Sequence, residues 1–149
     1  MTDPRVVPAG AEALIGDMSF LLARASALSN AAGNAALAAV GLKVRSYSVL
    51  ELAAGDVRIS QREIADFLRL DPSQVVALVD DLQTAGLVTR EPDARDRRAN
   101  VVIATPLGHQ TLVQARSAVR DAEHNSHAQL SATERATLAD LLQKAAFPT

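Results

Sequence analysis

Residues 59–105 carry a series of local signals that fix the order of their secondary structure. Ser60 and Glu63 have the spacing of a capping box, which predicts a helix that begins at Ser60. Asp71-Pro72 follows soon after and supplies an N-cap and a first-turn proline for a second helix, which is closed near Gly86. Beyond Gly86 the helical spacing ends, and residues 87–91 and 101–105 are strand-like in composition. This order is that of a helix-turn-helix followed by a β-hairpin.

The predicted hairpin pairs residues 87–91 with residues 101–105. Residues 92–100 between them are too many and too charged for a tight turn, so we expect them to protrude as the tip of a wing. The sequence therefore predicts a mainly α fold of the α+β winged helix-turn-helix class, with six helices and a two-stranded β-wing.

Both ends of the chain have the pattern of long helices. Residues 11–40 repeat apolar side chains at helical spacing, Pro106 opens a helix of about 20 residues, and Ser131 with Glu134 caps a last helix. Their apolar stripes have no core of their own to cover them, which favours a dimer arm. The predicted organisation is a flexible N-terminus over residues 1–10, a dimerisation arm over 11–42 plus 106–146, and a DNA-binding lobe over 43–105.

Composition excludes several classes of protein. The chain has the length of one domain, 149 residues, of which 48% are apolar. It has no cysteine, which excludes disulfides, thiolate metal sites, thiol catalysis and cysteine-based redox sensing. No apolar run has the length of a membrane span, and residues 1–10 lack the apolar stretch of a secretory signal. We therefore expect a cytoplasmic protein without a cofactor.

The second helix of a helix-turn-helix enters the major groove with the side chains of its N-terminal half. A helical wheel places Ser73, Gln74, Val76 and Ala77 on or beside the face opposite the apolar side of this helix. Ser73 and Gln74 can contact phosphates or base edges, whereas Val76 and Ala77 can contact a thymine methyl group. The alternative for Ser73 is a capping role alone.

A second group of candidates lies where phosphates of the DNA backbone would pass. Ser60 and Gln61 lie at a helix N-terminus, where amide groups and the helix dipole favour an anion. The cationic candidates for phosphate contact are Arg62, Arg69 and Arg90. The alternative for Ser60 is that it only caps its helix.

The predicted wing tip concentrates positive charge. Arg95, Arg97 and Arg98 lie close together, interleaved with Asp93 and Asp96. A solvated turn with local ion pairs is the alternative, and exposed pairs of this kind contribute only about 0–1 kcal/mol. Beside a helix-turn-helix, however, arginines suit the narrow and electronegative minor groove. We expect one arginine to enter that groove and another to be held by Asp96.

Taken together, these segments resemble the MarR (multiple antibiotic resistance regulator) family. The segments that carry the resemblance are 59–65, 71–76, 82–88, Asp93-Ala94-Arg95-Asp96-Arg97-Arg98 and Thr105-Pro106-Leu107-Gly108. The match is close over residues 59–108, and the flanking helices match in layout only. The resemblance implies a homodimer, joined through its first and last helices, that binds double-stranded, pseudo-palindromic operator DNA. It also implies repression relieved by a small aromatic or phenolic acid that lies between arm and DNA-binding lobe.

In this family the effector pocket would lie between the first, second and fifth helices. Tyr47 and Phe20 offer aromatic rings, Arg24 a guanidinium for a carboxylate, and Met18 an apolar contact. The alternative for Phe20 and Met18 is a place in the core or in the dimer stripe. Without cysteines, thiol oxidation is excluded, and either a bound small molecule or nothing would be the switch.

The recognition helix departs from the family pattern in its charge. The family often places arginine or lysine near Ala77 and Asp81, whereas residues 72–89 here contain no cation. Residues 43–105 hold nine Lys+Arg and ten Asp+Glu, a net charge of −1. Because phosphate neutralisation provides much of the affinity for DNA, we expect a modest affinity that depends on the wing. A winged-helix protein-interaction module, with weak or no DNA binding, is the second hypothesis.

No pattern in the chain favours an enzyme. His124 and His127 are spaced to share one face of a helix, but no third metal ligand accompanies them. The sequence contains neither a phosphate-cradling glycine loop nor a nucleophile elbow. We therefore expect no metal site and no catalytic site.

Overall fold

A computed structural model describes residues 6–148. Its helices are α1 (Glu12–Ile15), α2 (Met18–Leu37), α3 (Val44–Ala53), α4 (Gln61–Leu68), α5 (Pro72–Thr84), α6 (Pro106–Ser126) and α7 (Ala132–Ala146). Three strands, β1 (Ile59–Ser60), β2 (Val88–Pro92) and β3 (Asn100–Ala104), form one antiparallel sheet. Half of the N-terminal segment expected to be flexible, residues 1–5, lies outside the described residues.

The mainly α winged helix-turn-helix class is confirmed, but the sheet has one strand more than expected. β1 pairs with β3 through Ile59 and Val102, so the strand order is β1-β3-β2. The extended residues just before α4 supply this strand, and only its distant partner reveals it. β2 and β3 form the expected wing hairpin, with Pro92 paired to Asn100 next to the tip.

The prediction of one continuous helix over residues 11–40 is wrong. The helix breaks before Asp17, which becomes the N-cap of α2 and accepts the Phe20 N–H at 2.9 Å. The far end tightens into a 3-10 turn over Ala38–Val40, which Gly41 closes in the left-handed region at φ 71°. Because α1 is separate from α2, the described residues contain seven α-helices rather than six.

The predicted starts of the two lobe helices are confirmed. The Ser60 hydroxyl accepts the Glu63 N–H at 3.2 Å, and the Glu63 carboxylate accepts the Ser60 N–H at 2.8 Å. Asp71 caps α5 with Pro72 in its first turn, and Arg69, in the left-handed region at φ 55°, ends α4 just before it. These local bonds set α4 and α5 as the two helices of the helix-turn-helix.

One hydrophobic core joins the lobe to the arm. Side chains from α2, α3, α4, α5, β3 and α6 meet in it, and those that are fully buried include Leu37, Leu50, Ile64, Val79, Val102 and Leu112. Full burial of such a side chain contributes roughly 1.5–3 kcal/mol to stability. By contrast, α1 and α7 contribute no buried residue. The helix-turn-helix is therefore built into the core, whereas the first and last helices lie outside it.

The arm helices present an apolar face to solvent. α2 packs along α6. On α1, α2, α6 and α7, the exposed apolar side chains include Leu14, Ile15, Met18, Leu21, Leu22, Leu28, Val113, Leu138, Leu141 and Leu142. Exposed apolar surface of this extent marks an interaction site. None of the helices in residues 6–148 is long and apolar enough to cross a membrane.

The junction between β3 and α6 depends on a close backbone approach at Gly108. The Thr105 hydroxyl accepts the Gly108 N–H at 3.0 Å and donates to the Gly86 carbonyl at 2.6 Å. A Cβ on Gly108 would lie 2.1 Å from the carbonyl oxygen of Leu87. Glycine is therefore required at the last position of the Thr105-Pro106-Leu107-Gly108 segment.

We expect Gly108→Ala to lower the free energy of unfolding by about 1–3 kcal/mol, because the backbone must shift to relieve the overlap. In urea denaturation the midpoint should fall with little change of slope. Gly16→Ala is the matched control, since a Cβ there would meet only the Ala13 carbonyl oxygen, at 4.0 Å. Equal stability of the two variants would contradict the overlap at Gly108.

Candidate nucleic-acid interface

The wing is fastened to α4 by the side chain of Arg95. Its guanidinium pairs with Asp93 at 3.0 Å and donates to the two carboxylate oxygens of Glu63 at 3.3 and 3.2 Å. Asp93 is buried and also accepts the Arg95 N–H at 2.8 Å. The expectation that Asp96 would hold an arginine side chain is therefore wrong, because Asp93 and Glu63 have that role. Asp96 instead accepts the Arg98 N–H at 2.9 Å and stabilises the turn of the tip.

Glu63 connects this wing contact to the N-terminus of α4. Ser60 donates to its carboxylate from the backbone N–H and from the hydroxyl, both at 2.8 Å. These hydrogen bonds, followed by that from Arg95, lower the pKa of Glu63 from 4.5 to about 2. The pKa of Asp93 is lowered too, chiefly by its hydrogen bonds with Arg95. One carboxylate, that of Glu63, thus caps α4 and anchors the wing.

A lowered pKa means that ionised Glu63 stabilises the folded state above a pH of about 4.5, and that this contribution is lost as the pH falls toward about 2. We expect the free energy of unfolding of Glu63→Gln to fall less steeply over that pH range than the free energy of unfolding of the original chain. At neutral pH the loss should be about 1 kcal/mol or less, because the ion pair is half-exposed and screened. Urea denaturation across the acid range measures the effect, with Glu12→Gln on α1 as the control. An acid profile for Glu63→Gln as steep as that of the original chain would rule out this role.

The other two wing arginines have no such contact. Both Arg97 and Arg98 are exposed, and within residues 6–148 their side chains make no hydrogen bond or ion pair. The nearby acids are engaged elsewhere, Asp93 with the Arg95 side chain and Asp96 with a backbone amide. The tip therefore presents two arginine side chains to solvent, beside the exposed carboxylate of Asp96.

The recognition helix α5 begins with capping hydrogen bonds that use its two polar candidates. Asp71 accepts from the N–H of Ser73 at 2.8 Å and from the Ser73 hydroxyl, and the Gln74 side-chain oxygen accepts the Asp71 N–H at 3.2 Å. Ser73 and Gln74 are still exposed, and the Gln74 side-chain nitrogen stays outside the cap. Val76 is 42% exposed and Ala77 lies exposed beside it. All four candidates thus lie at the surface, and their contact with DNA stays a prediction.

The Arg90 side chain is held by hydrogen bonds to residues of α4 and α5. Its guanidinium donates to Gln61 at 2.5 Å, Gln83 at 3.0 Å, Asp80 at 2.6 Å and the Val76 carbonyl at 3.4 Å. The side chain is only 21% exposed. The expected phosphate contact of Arg90 is therefore corrected, because its donors are committed within the lobe. Arg90 ties α5 to α4 and β2 and neutralises Asp80.

The expected phosphate contact of Ser60 is corrected as well. It is buried, and its hydroxyl and N–H are both engaged with Glu63, so it caps α4 and offers nothing to a phosphate. Gln61 is half-buried with its oxygen accepting a guanidinium hydrogen bond, which leaves its side-chain nitrogen available. Arg62 and Arg69 are exposed and, within residues 6–148, have no ion pair. They remain the cationic candidates for phosphate contact.

A surface groove of about 600 Å³ brings the three parts of the lobe together. It is lined by Gln61, Arg62 and Asp66 of α4, by Val76 of α5, and by Arg98 and Asn100 of the wing. Nothing in the local sequence marks Asn100, which only the hairpin register brings to this face. Cations and amide groups on such a face can contact the phosphates and base edges of a duplex, and an apolar side chain can contact a thymine methyl group.

Two functional residues escape sequence reasoning, the wing anchors Glu63 and Asp93. The capping box already accounts for Glu63, so its second contact has no separate signal in the sequence. Asp93 and Asp96 both lie within two positions of Arg95, and spacing alone does not choose between them. In the folded tip Asp93 is buried and pairs with Arg95, whereas Asp96 is exposed.

Of the four residues expected to form the effector pocket, three lie on α2 and Tyr47 lies on α3. Five surface cavities within residues 6–148 are lined by other residues, and the expected pocket stays a prediction. Met18 is 75% exposed and Phe20 is half-buried on α2. This placement suits the alternative, in which these two side chains belong to the dimer stripe.

Tyr47 instead belongs to a polar network between α3 and α6. Its hydroxyl is hydrogen-bonded to Glu51, and burial followed by this bond raises the pKa of Tyr47 to about 12. Glu51 in turn forms a bidentate pair with Arg116, with both N–O distances 2.7 Å, and this pair lowers the pKa of Glu51. The network ties the lobe helix α3 to the arm helix α6.

His124 lies near the end of α6, and His127 is the C-cap of that helix. Within residues 6–148, no three His, Asp or Glu side chains come together to bind a metal ion. His124 and His127 line a cavity between α2, α6 and α7 together with Arg120 and Arg135. The carboxylate-bearing Glu123 lines the same cavity.

Comparison with known proteins decides the family of the chain. The model of the MarR family matches residues 40–99, which span α3 to the wing tip. A solved MarR-family transcriptional regulator from Rhodococcus sp. RHA1 is 40% identical, with a TM-score of 0.87 over 93% of this chain and 98% of that one. The chain belongs to the MarR family.

Further relatives support the same placement. CouR from Rhodococcus jostii RHA1, solved bound to p-coumaroyl-CoA, is 39% identical with a TM-score of 0.82, over 93% of this chain and 97% of that one. A CouR repressor bound to a 23-mer DNA duplex is 27% identical with a TM-score of 0.84, over 95% and 100%. A putative transcriptional regulatory protein for the hcr operon of Thauera aromatica is 34% identical over 66% of this chain, and the match spans 59% of its own length. MarR proteins are a family of transcriptional regulators, not an enzyme family.

Proposed function

We propose that this MarR-family chain is a repressor that binds double-stranded, pseudo-palindromic operator DNA as a homodimer. The observation that carries the proposal is the groove between α4, α5 and the wing, which has Arg62 and Arg98 on one face. Helix α5 would enter the major groove, and Arg97 and Arg98 would reach the adjacent minor groove. The duplex bound by a CouR repressor supports DNA as the partner.

The distribution of charge explains how a chain of net charge −2 binds DNA. Arg90 pairs with Asp80, and Arg95 pairs with both Asp93 and Glu63, so neither arginine is available to DNA. In α4, in its C-terminal cap and in the wing, the cations without an ion pair are Arg62, Arg69, Arg97 and Arg98. Affinity therefore rests on α4 and the wing more than on the cation-free α5.

A second copy of the chain would complete the arm. Helix α7 has no buried residue, and Leu138, Leu141 and Leu142 on it are exposed. In this proposal residues 11–42 and 106–146 form the dimerisation arm and residues 43–105 the DNA-binding lobe. A two-fold dimer places two recognition helices in successive major grooves, which is why the operator would be pseudo-palindromic.

Selection of genomic fragments by the purified protein tests this function. We expect the bound fragments to share an inverted repeat, and binding to weaken steeply as salt rises. A protein-interaction module, the second hypothesis, would be retained neither by heparin nor by any duplex at low salt. That outcome would overturn the proposed function.

A small aromatic acid, free or as its CoA thioester, would release the repressor from DNA. The support is CouR, 39% identical and bound to p-coumaroyl-CoA, together with the lack of cysteines for a thiol switch. Fluorescence anisotropy of a labelled operator duplex measures release by p-coumarate and by p-coumaroyl-CoA. Retention of the duplex with both compounds would contradict this part of the proposal.

A further inference from the structure

Helix α4 has two exposed faces, and only one of them lines the groove proposed for DNA. Arg62 and Asp66 line that groove. Glu63 and Phe67, also one helical turn apart, lie on the other face and border a separate cavity against α3 and residues 55–59. Phe67 is 55% exposed in the last turn of the helix. The DNA groove therefore does not account for this aromatic ring.

The Phe67 ring is stacked on the ring of Phe147, which ends α7. The ring centroids are 6.0 Å apart and the ring planes are inclined by 24°. Phe147 is the C-cap of α7, and its N–H donates to the Gln143 carbonyl at 3.0 Å, so the helix end holds its backbone. Phe147 is 60% exposed, so the contact lies outside the hydrophobic core. We name this ring pair the aromatic clasp.

The clasp joins the last arm helix to the lobe. Within residues 6–148, no hydrogen bond or ion pair connects α7 with residues 43–105. The helix also has no buried residue. Stacked aromatic rings prefer a defined geometry, with centroids roughly 4.5–7 Å apart. The ring pair is therefore the contact that can hold the end of α7 in place on α4.

We propose that Phe67 and Phe147 are positioning residues for DNA binding, which hold the helix-turn-helix in a fixed orientation to α7. This inference rests on the proposed function, in which the exposed apolar face of α7 contacts a second copy of the chain. A helix held along its length by the second copy and at its end by α4 transmits the geometry of the dimer to the lobe. Glu63, one turn from Phe67, anchors the wing through Arg95, so the clasp acts on the helix that positions the wing.

The effect on DNA affinity follows from the need to match two half-sites at once. Two recognition helices bind half-sites at a fixed spacing. A lobe that turns relative to α7 is in the competent orientation for only a fraction of the time, and the apparent affinity falls by that fraction. One aromatic pair corresponds to roughly a factor of two to ten in such an equilibrium. A dimer contains two clasps.

Double electron–electron resonance tests the clasp without DNA. Because the chain has no cysteine, Thr84→Cys at the end of α5 and Ala136→Cys on α7 give two unique sites for spin labels. Both residues are exposed, and dilution with unlabelled chain restricts the measured distances to those within one chain. We expect a narrow distance distribution in this labelled chain and a broader one after Phe147→Ala or Phe67→Ala. Equal widths in all three would overturn the inference.

Two controls separate the ring contact from a general loss of apolar surface. Phe147→Tyr keeps an aromatic ring and should keep the narrow distribution. Val57→Ala shortens another exposed apolar side chain of the lobe and should also leave the width unchanged. A distribution as broad in Phe147→Tyr as in Phe147→Ala would contradict a role for the ring stack.

Fluorescence anisotropy measures the consequence for DNA, with the selected operator and with a duplex that has one extra base pair between the half-sites. We expect Phe147→Ala to bind the operator about five- to tenfold more weakly, while light scattering still gives the mass of a dimer. The extra base pair should reduce the affinity of this variant less than that of the original chain. Phe67→Ala/Phe147→Ala should bind like either single variant, since each change removes the same contact.

Unchanged affinity in both single variants, additive losses in the double variant, or conversion of Phe147→Ala to a monomer would overturn the inference. The spin-label experiment needs neither DNA nor a dimer, so its result is independent of the proposed function. A chain that shows the clasp but binds no duplex contradicts the proposed function, whereas equal distance distributions contradict the clasp.

Discussion

Replacing both free wing arginines, Arg97→Ala with Arg98→Ala, should lower the affinity for operator DNA by about 100-fold. Each arginine that reaches DNA contributes about 1–3 kcal/mol, and about 1.4 kcal/mol is a factor of ten. Within residues 6–148 both side chains lack a partner, so the substitutions remove nothing from the fold. The salt dependence should also flatten, by about 0.9 in logarithmic slope for each phosphate that the variant no longer neutralises. Fluorescence anisotropy across a salt series measures both quantities.

Two comparisons separate this effect from a general loss of charge or of structure. Arg120→Ala with Lys144→Ala removes the same charge from the arm and should leave the affinity nearly unchanged. Arg95→Ala should weaken binding less than the double substitution and should also lower stability, because Arg95 anchors the wing through Asp93 and Glu63. An unchanged affinity in the variant that lacks Arg97 and Arg98 would remove the wing from the interface.

The second large effect is expected in the arm, where Leu141→Glu should convert the dimer to a monomer and lower operator affinity by about 100-fold or more. Leu141 is 56% exposed and α7 has no buried residue, so the single chain tolerates the carboxylate. Against the apolar face of a partner, an unpaired carboxylate costs several kcal/mol. A monomer holds one half-site only. Light scattering gives the mass in solution, and anisotropy gives the affinity.

Val57→Glu is the matched control for the arm. Val57 is 79% exposed, but it lies on the lobe, so the same change of side chain should leave the dimer intact. Leu22→Glu on α2 repeats the test at a second position of the apolar face. If both Leu141→Glu and Leu22→Glu stay dimeric, the arm is not the dimer interface.

The lobe could be predicted from the sequence because its helix ends depend on residues close together in the chain. Ser60 and Glu63 bond each other three residues apart, and Asp71 bonds the amide two residues on. Such bonds need no tertiary contact to form. Gly86 takes a positive φ of 75°, which its identity already indicated.

Features that depend on distant partners could not be predicted. Strand β1 is two residues long and exists only through its pairing with β3, so Ile59 and Ser60 carry no strand pattern of their own. The break before Asp17 was hidden because the apolar spacing runs on through it. Helical periodicity reports which residues face the same side, and it does not report whether the backbone is continuous.

The interface was predicted in composition but not in its internal contacts. The sequence predicted an arginine-rich wing beside a recognition helix. It could not show that the Arg90 guanidinium forms hydrogen bonds with α4 and α5. Arg90 reaches Gln61 and Asp80 across separate elements, and only the packing of α4 on α5 brings those acceptors together.

A hydroxyl-radical footprint on a selected operator tests the central claim most directly, namely that a dimer binds through two recognition helices and two wings. The expected footprint has two symmetric protected regions about one helical turn apart, near 10 base pairs, with outer minor-groove protection from the wings. The outer protection should disappear with Arg97→Ala/Arg98→Ala. A one-sided footprint, or one that keeps its outer protection in that variant, would contradict the claim.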